Sequence, residues 1–257
     1  MPGSSDQHPY DRHVGRYGRG LARGLIEFAG IHSGQRVLDV GCGTGQLTAE
    51  LAALLGGERV AAVDMSEPVL SVCSARVPSA DVRLASAEAP PFDEGDFDAA
   101  LAQLVVNLVE DPPGSVREMA RVVMHGGVVA ACFWDDEEMP LLRSLWDSVR
   151  AIAPEALEGV NERARVGLAD VGVLREWWEG AGLRDVALDA FDVSADYGSF
   201  EDLWDPFEAG VGCSGKTYSS LGAGDQAAVR AHAFARLGSP DGPFRLTAKV
   251  RAVRGIR

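Results

Sequence analysis

Val37-Leu-Asp-Val-Gly-Cys-Gly-Thr-Gly-Gln-Leu-Thr48 decides the fold of this 257-residue chain. Val37, Leu38 and Val40 read as a buried strand, and Gly41, Gly43 and Gly45 as a glycine-rich turn. Leu47, Leu51 and Leu54 then predict one apolar face of a helix. A strand, a glycine turn and a helix in this order bring bare backbone up to a nucleotide-like ligand in a parallel α/β sheet. Gly41 and Gly43 let the chain turn sharply and leave no side chain between backbone and ligand.

Two ligand classes use such a turn. A dinucleotide-binding turn reads G-x-G-x-x-G and places its third glycine at position 46, which here is Gln46. The third glycine falls at 45, and Asp39 stands two residues before the first. A carboxylate there repels a pyrophosphate and suits a free ammonium group. The turn therefore fits a nucleoside with a cationic amino-acid tail better than a dinucleotide, and a nicotinamide-dependent oxidoreductase is the disfavoured alternative.

Downstream segments extend the pattern. Arg59-Val-Ala-Ala-Val-Asp64 is a second apolar strand ending in an acid, about 20 residues beyond the turn. A carboxylate at that strand tip accepts both ribose hydroxyls in either ligand class. Met65 and Ser66 follow, the methionine where an apolar side chain lies against a purine face. Val82–Phe92 reads as a third strand and a loop in which Ser86, Ala87 and Glu88 meet an adenine edge. Gly95–Leu104 enters a fourth strand and leaves Gln103 and Leu104 at its exit.

From Val37 to Trp134 the chain resembles the class I S-adenosylmethionine-dependent methyltransferases, within them the small-molecule branch that includes the ubiquinone/menaquinone-type C-methyltransferases. The resemblance implies a Rossmann-like, seven-stranded, mostly parallel α/β sheet with helices on both faces. Its last strand is antiparallel and inserted beside the sixth. The implied cofactor is S-adenosyl-L-methionine. Asp39, Gly41 and Gly43 would hold its methionine moiety, Asp64 the ribose and Met65 with Ala87 the adenine, while Gln103 and Leu104 form the strand-4 wall. Cys42, Gly45, Gln46 and Ser66 belong to the same binding turns. The family often has Asp where this chain has Ser86, so the acidic contact to the adenine amino group is missing or comes from Glu88. Tyr10-Asp-Arg-His-Val-Gly-Arg16-Tyr17 is similar to an N-terminal lid in part of the family, where Tyr10 or Arg16 would reach the cofactor's carboxylate. An ordinary helix N-terminus explains that segment equally well.

A net charge of −14 repels a phosphate backbone, which disfavours nucleic acid as partner. No apolar run approaches the ~18 residues needed to span a bilayer, so no membrane association is expected. The first residues lack the basic-then-apolar layout of a signal peptide, which makes the cytoplasm the expected location. Cys42, Cys73, Cys132 and Cys213 form no C-x-x-C pair, and Cys42 reads as a packing residue.

One domain over 1–257 is expected, with a lead segment over 1–18 acting as a lid. Helices are predicted from Leu21, Leu25 and Phe28, from Val116, Met119, Ala120 and Val123, from Leu142, Leu145, Trp146 and Val149, and from Val171, Leu174 and Trp178. Gly126-Gly127 should end the second of these before a fifth strand over Val128 to Phe133, with a sixth strand over Leu183 to Asp192. Phe244 to Ala252 alternates strictly, as a half-buried last strand does. Segments 135–168 and 194–241 are helical insertions expected to cover an acceptor site over the strand ends.

Methyl transfer from a sulfonium is an in-line displacement in which orientation does most of the work, with a general base where the acceptor is a phenol, an enolisable carbon or a protonated amine. Topology assigns His32 and His125 to the amino ends of strands one and five, away from a ligand, and His232 to a late polar helix. His8 and His13 are left as candidate bases. Trp134, Trp146 and Trp204 suggest a flat apolar pocket for a small aromatic or quinone-like acceptor, although aromatic stripes at helical spacing are more often plain core. The acidic run Asp135–Glu138 reads as a solvated loop, and no metal site is expected. A catalytically silent cofactor-binding protein is the third reading.

Overall fold

The computed structural model describes residues 9–135, 137–158, 160 and 170–257; His8 and Asp136 lie outside them. A seven-stranded sheet organises the chain, in the order β3-β2-β1-β4-β5-β7-β6. The strands are β1 (Val37–Val40), β2 (Val60–Asp64), β3 (Asp81–Leu84), β4 (Phe97–Gln103), β5 (Val123–Trp134), β6 (Arg184–Tyr197) and β7 (Phe244–Ile256). The first five pair in parallel. The last strands are antiparallel. Backbone bonds from Gly126 to Arg257 and from Asp135 to Lys249 set β7 against β5 in opposite directions. Every residue of β1 and the first four of β2 are buried, as both-face coverage of a central parallel strand requires.

The chain divides into two compact units, and the division falls within β6 and β7. One comprises 18–133, 168–191 and 250–257. It holds α1 (Gly18–Ala29), α2 (Gln46–Leu55), α3 (Glu67–Arg76), α4 (Pro112–Val122) and α6 (Val171–Gly180). Its core joins Leu38, Val40, Val63, Phe97, Met119, Val129, Phe133, Leu174 and Trp178. Trp178 satisfies its indole N–H on the Val129 carbonyl at 3.0 Å. In α2 the buried face is Leu47, Leu51 and Leu55, and Leu54 points outward: the helix keeps a strict i, i+4, i+8 stripe.

The other unit comprises 1–17, 134–167 and 192–249. It carries α5 (Pro140–Ile152), α7 (Phe200–Glu208), α8 (Gly212–Ser220) and α9 (Ala223–Arg236). Phe200, Trp204 and Phe207 share the buried face of α7. In α5 the buried face is Leu141, Leu145, Trp146 and Val149, one residue off the predicted stripe at Leu142. Residues 9–17 are packed here: Tyr17 is 1% exposed and sets its ring edge-on to Trp134 at 5.4 Å.

Three strand boundaries differ from the sequence expectation, the simplest being β7, which runs on past Ala252 to Ile256. Strand β5 begins at Val123, directly at the end of α4, so Gly126-Gly127 lies within it and His125 is a strand residue. The pairing with β4 slips between Phe97 and Ala99, and Gly126, at φ +85°, absorbs the irregularity as a bulge. Strand β6 runs on to Tyr197, because its pairing with β7 continues past Asp192 to the Ser194–Thr247 hydroxyl contact at 2.8 Å.

Candidate functional site

The sheet reverses its strand order between β1 and β4, the position at which open parallel sheets bind ligands beyond their carboxyl ends. The register pairs Asp39 with Ala62 on one side and Leu101 on the other. Asp64 and Gln103 therefore end their strands beside the turn that leaves Val40. That turn is anchored where the Gly41 and Cys42 N–H groups both donate to the Val63 carbonyl, at 2.8 and 2.9 Å.

Glycine is required at specific points here. Gly41 (φ +72°) and Gly45 (φ +82°) lie in the left-handed region, and a Cβ would meet Val105 at 2.4 Å and Cys73 at 2.7 Å respectively. Gly43 (φ +52°) would direct a Cβ into open space. Helix α2 starts on Gly45 with no side-chain cap, and in its first turn the Thr48 N–H donates to the Asp39 carboxylate.

The two acids differ sharply. The Asp64 carboxylate accepts from the Gly43 N–H and the Ser66 N–H, both at 2.9 Å, which ties the glycine turn to the start of α3. Asp39 is 1% exposed; its Oδ2 accepts the Thr48 hydroxyl at 2.6 Å and its Oδ1 has no partner. Burial pushes the Asp39 carboxyl up to about 8, against the opposing Thr48 hydrogen bond. Thr48, on the first turn of α2, is a site residue that the sequence motif did not single out. Only the fold shows that it reaches back nine residues to Asp39.

Further around the strand ends, Met65 is 71% exposed. Ser86 and Glu88 bond to each other, and Glu88 Oε1 also accepts the Asp111 N–H at 2.6 Å, at the start of α4. Ala87 is buried between them. Leu104 takes φ +62° and donates its N–H to the Cys132 carbonyl, while the amide oxygen of Gln103 is buried without a partner. Gln46 packs on Gly18 of α1. Cys42 joins Ala62, Leu70 and Cys73 in a small apolar cluster. Its bond to Cys73 and its burial hold the thiol well above its ordinary range.

Tyr10 and Arg16 lie in the other unit. Arg16 spends its donors there, on both carboxylate oxygens of Asp202 and on the carbonyls of Arg12, Asp196 and Asp202, with Tyr197 beneath the guanidinium at 4.9 Å. These bonds must be released before Arg16 meets a ligand carboxylate. Tyr10 is 38% exposed, and its carbonyl accepts from His13 and Gly15. Among the other histidines, His32 bonds the Ser33 carbonyl, His125 is exposed, and His232 shares a hydrogen with Ser148 at 2.9 Å. Among the described residues no group of three or more His, Cys, Asp or Glu is placed to hold a metal, and no helix is long and apolar enough to cross a membrane.

Residues 38–131 match the family described as "Methyltransferase domain". Over 167 residues the chain is 32% identical to the demethylmenaquinone methyltransferase of Clavibacter sepedonicus, covering 60% of this chain and 67% of that one. The chain belongs to the class I S-adenosylmethionine-dependent methyltransferases. Another relative of this methyltransferase is the malonyl-[acyl-carrier protein] O-methyltransferase of Salmonella typhimurium, 36% identical over 113 residues and 44% of each chain. Beyond the first relative, the chain spans about half the length of the curated relatives it matches. The methyltransferase fold also matches the Haemonchus contortus phosphoethanolamine N-methyltransferase 2 solved with S-adenosylhomocysteine. That likeness has a TM-score of 0.58 at 16% identity and covers 93% of this chain and 52% of that one. The cofactor of this methyltransferase is S-adenosyl-L-methionine.

Proposed function

We propose that the protein transfers the methyl group of S-adenosylmethionine to a small, aromatic or quinone-like acceptor. The observation that carries the cofactor half is the paired arrangement of Asp39 and Asp64 around an open glycine turn. Asp39, buried and half-partnered, receives the ammonium group; Asp64, anchored by Gly43 and Ser66, receives the ribose hydroxyls on its remaining lone pairs. The backbone of Gly41, Cys42, Gly43, Gly45 and Gln46 takes the methionine tail. Met65, Ser66, Ser86, Ala87 and Glu88 take the adenine side, with Gln103 and Leu104 as the far wall. The bound sulfonium supplies an activated methyl group, so the protein's task is orientation.

Support for the acceptor class comes from the aromatic α7 face and from the demethylmenaquinone methyltransferase relative. Contacts to the cofactor are common to a whole fold and do not encode the acceptor. Acceptor choice on this reading belongs to 135–168 and 194–241. The test is to incubate the protein with S-adenosylmethionine and a metabolite panel and to scan by mass for the gain of one methyl. Methylation confined to flat ring compounds supports the reading. Methylation of aliphatic acids or amines alone replaces the acceptor class, and binding of NAD in place of S-adenosylhomocysteine ends the whole reading.

A further inference from the structure

Cys42 and Cys73 lie far apart in sequence, yet the fold brings them together beside the glycine turn. With Ala62 and Leu70 they form a small buried cluster of their own. The Cys42 thiol is bonded to Cys73. Cys73 Sγ in turn reaches the Thr48 hydroxyl at 3.6 Å, and that hydroxyl bonds Asp39 at 2.6 Å. One line of contacts therefore joins the thiol pair to the buried acid of the cofactor turn. Gly45 closes the cluster from the α2 side, where a Cβ would lie 2.7 Å from Cys73 Sγ. All of these residues belong to a single compact unit.

Two further observations make the pair reactive. Helix α3 buries only Leu70 and Cys73 and has no side-chain cap, so it is lightly held. Segments with few buried apolar contacts open locally at low cost, and a local opening of α3 uncovers Cys73. The bond from Cys42, against the opposing effect of burial and with help from Thr48 and Arg76, lowers the Cys73 thiol to about 7. Much of it is therefore thiolate at neutral pH, the form that reacts with an oxidant.

We propose that Cys42 and Cys73 form a reversible disulfide when a hydroperoxide reaches them, and that this bond closes the glycine turn to S-adenosylmethionine. The disulfide stands on the thiol packing, while its effect on binding rests on the cofactor placement proposed above. The Cys73 thiolate attacks one oxygen of hydrogen peroxide and the O–O bond breaks, which leaves a sulfenic acid on Cys73. The departing hydroxide takes up the proton that Cys73 had lost and becomes water. The Cys42 sulfur then attacks the Cys73 sulfur, and the sulfenic hydroxyl leaves with the Cys42 proton as a second water. Two thiols thus give two electrons and two protons to one peroxide, yielding one disulfide and two waters. Bonded sulfurs stand about 2.05 Å apart, so the turn and α3 must draw together from hydrogen-bond contact. Asp64 is fixed by the Gly43 N–H on the turn and by the Ser66 N–H at the start of α3. Whichever side moves, one of the two bonds that hold Asp64 in place shifts.

The test treats the full chain with hydrogen peroxide, alkylates the remaining thiols and maps disulfides by peptide mass. Calorimetry measures S-adenosylhomocysteine binding before and after. The reduced protein should bind it. After peroxide, a linked peptide pair containing Cys42 and Cys73 should appear, and affinity should fall about tenfold or more, the factor for one lost charge-assisted hydrogen bond. Dithiothreitol should restore the original affinity. Cys73→Ala removes one sulfur of the pair and should show the same affinity before and after peroxide. Should that variant not fold, Cys42→Ser carries the same comparison of treated with untreated protein. Absence of the Cys42–Cys73 link, an affinity that peroxide leaves unchanged, a loss that dithiothreitol does not reverse, or a loss that persists in the variants overturns the proposal. A reduced protein that does not bind S-adenosylhomocysteine defeats the cofactor reading itself, whereas binding that survives the disulfide defeats only this inference.

Discussion

If Asp39 receives the cofactor's ammonium group, cofactor binding must be coupled to loss of its proton. The ligand-free carboxyl, raised by burial to about 8, is about 1% ionised at pH 6, about 10% at pH 7 and half ionised at pH 8. An ammonium group selects the ionised form, so apparent affinity carries that fraction as a factor. S-adenosylhomocysteine should therefore bind about tenfold tighter at pH 7 than at pH 6, a difference of ~1.4 kcal/mol, and about fivefold tighter again at pH 8. About 0.9 proton should be released per ligand at pH 7. Titration calorimetry in buffers of different ionisation enthalpy measures both quantities. Asp39→Asn preserves the shape and an acceptor for the Thr48 hydroxyl but has no proton to lose. Its binding should be weaker and flat with pH. The folding sign runs the other way. The native carboxyl titrates above its unfolded value of 3.8, so the native state holds the extra proton between about pH 4 and 8. The Asp39 contribution to ligand-free stability then falls as pH rises through that window, so wild type should lose stability relative to Asp39→Asn. Parallel affinity slopes in wild type and Asp39→Asn, or no proton release at pH 7, would refute the pairing.

Asp64→Ala should weaken S-adenosylhomocysteine by about 10- to 150-fold, the ~1.5–3 kcal/mol of charge-assisted bonds to the ribose, read by the same calorimetry. Gly43→Ala separates fold from site: its Cβ meets no protein atom, so melting should reflect only the left-handed strain of ~1–2 kcal/mol, while cofactor binding is lost. Unchanged binding in that variant would place the ligand elsewhere. His13, native at about 4 against 6.5 unfolded, is neutral when folded. The unfolded state takes up its proton as pH falls, so wild type should lose about 2 kcal/mol relative to His13→Phe between pH 7 and pH 5, on top of the opposite Asp39 trend that both proteins share. Identical urea midpoints against pH in both proteins would contradict that burial. Turnover should be unaffected by EDTA, since the sulfonium already carries the activated methyl group and orientation does most of the work, and recovery by added Mg²⁺ after loss in EDTA would overturn this.

The parallel half of the sheet was legible because its signals are local. Hydrophobic runs at Val37–Val40 and Val60–Val63, glycines that must take positive φ, and an acid at a strand tip are consequences of short-range geometry. The β5 start was misplaced for the same reason. Gly126-Gly127 reads as a helix stop, and only pairing with β4 and β7 turns it into a bulge inside a strand. The lead segment reads as a lid or a helix N-terminus, yet His13 and Tyr17 are buried with partners, Ser214 and Tyr197, that arrive nearly 200 residues later.

Asp39 and Asp64 mark the limit most clearly. As letters they are two acids at two strand ends, and the sequence by itself determined their place beside a glycine turn and the cofactor class they suit. Tertiary structure alone decided their chemistry. Asp39 is enclosed with one oxygen unpaired and its carboxyl raised, whereas Asp64 is pinned by two backbone N–H groups. Dielectric surroundings and hydrogen-bond partners are set by every element that packs around a group, and no window of sequence contains them.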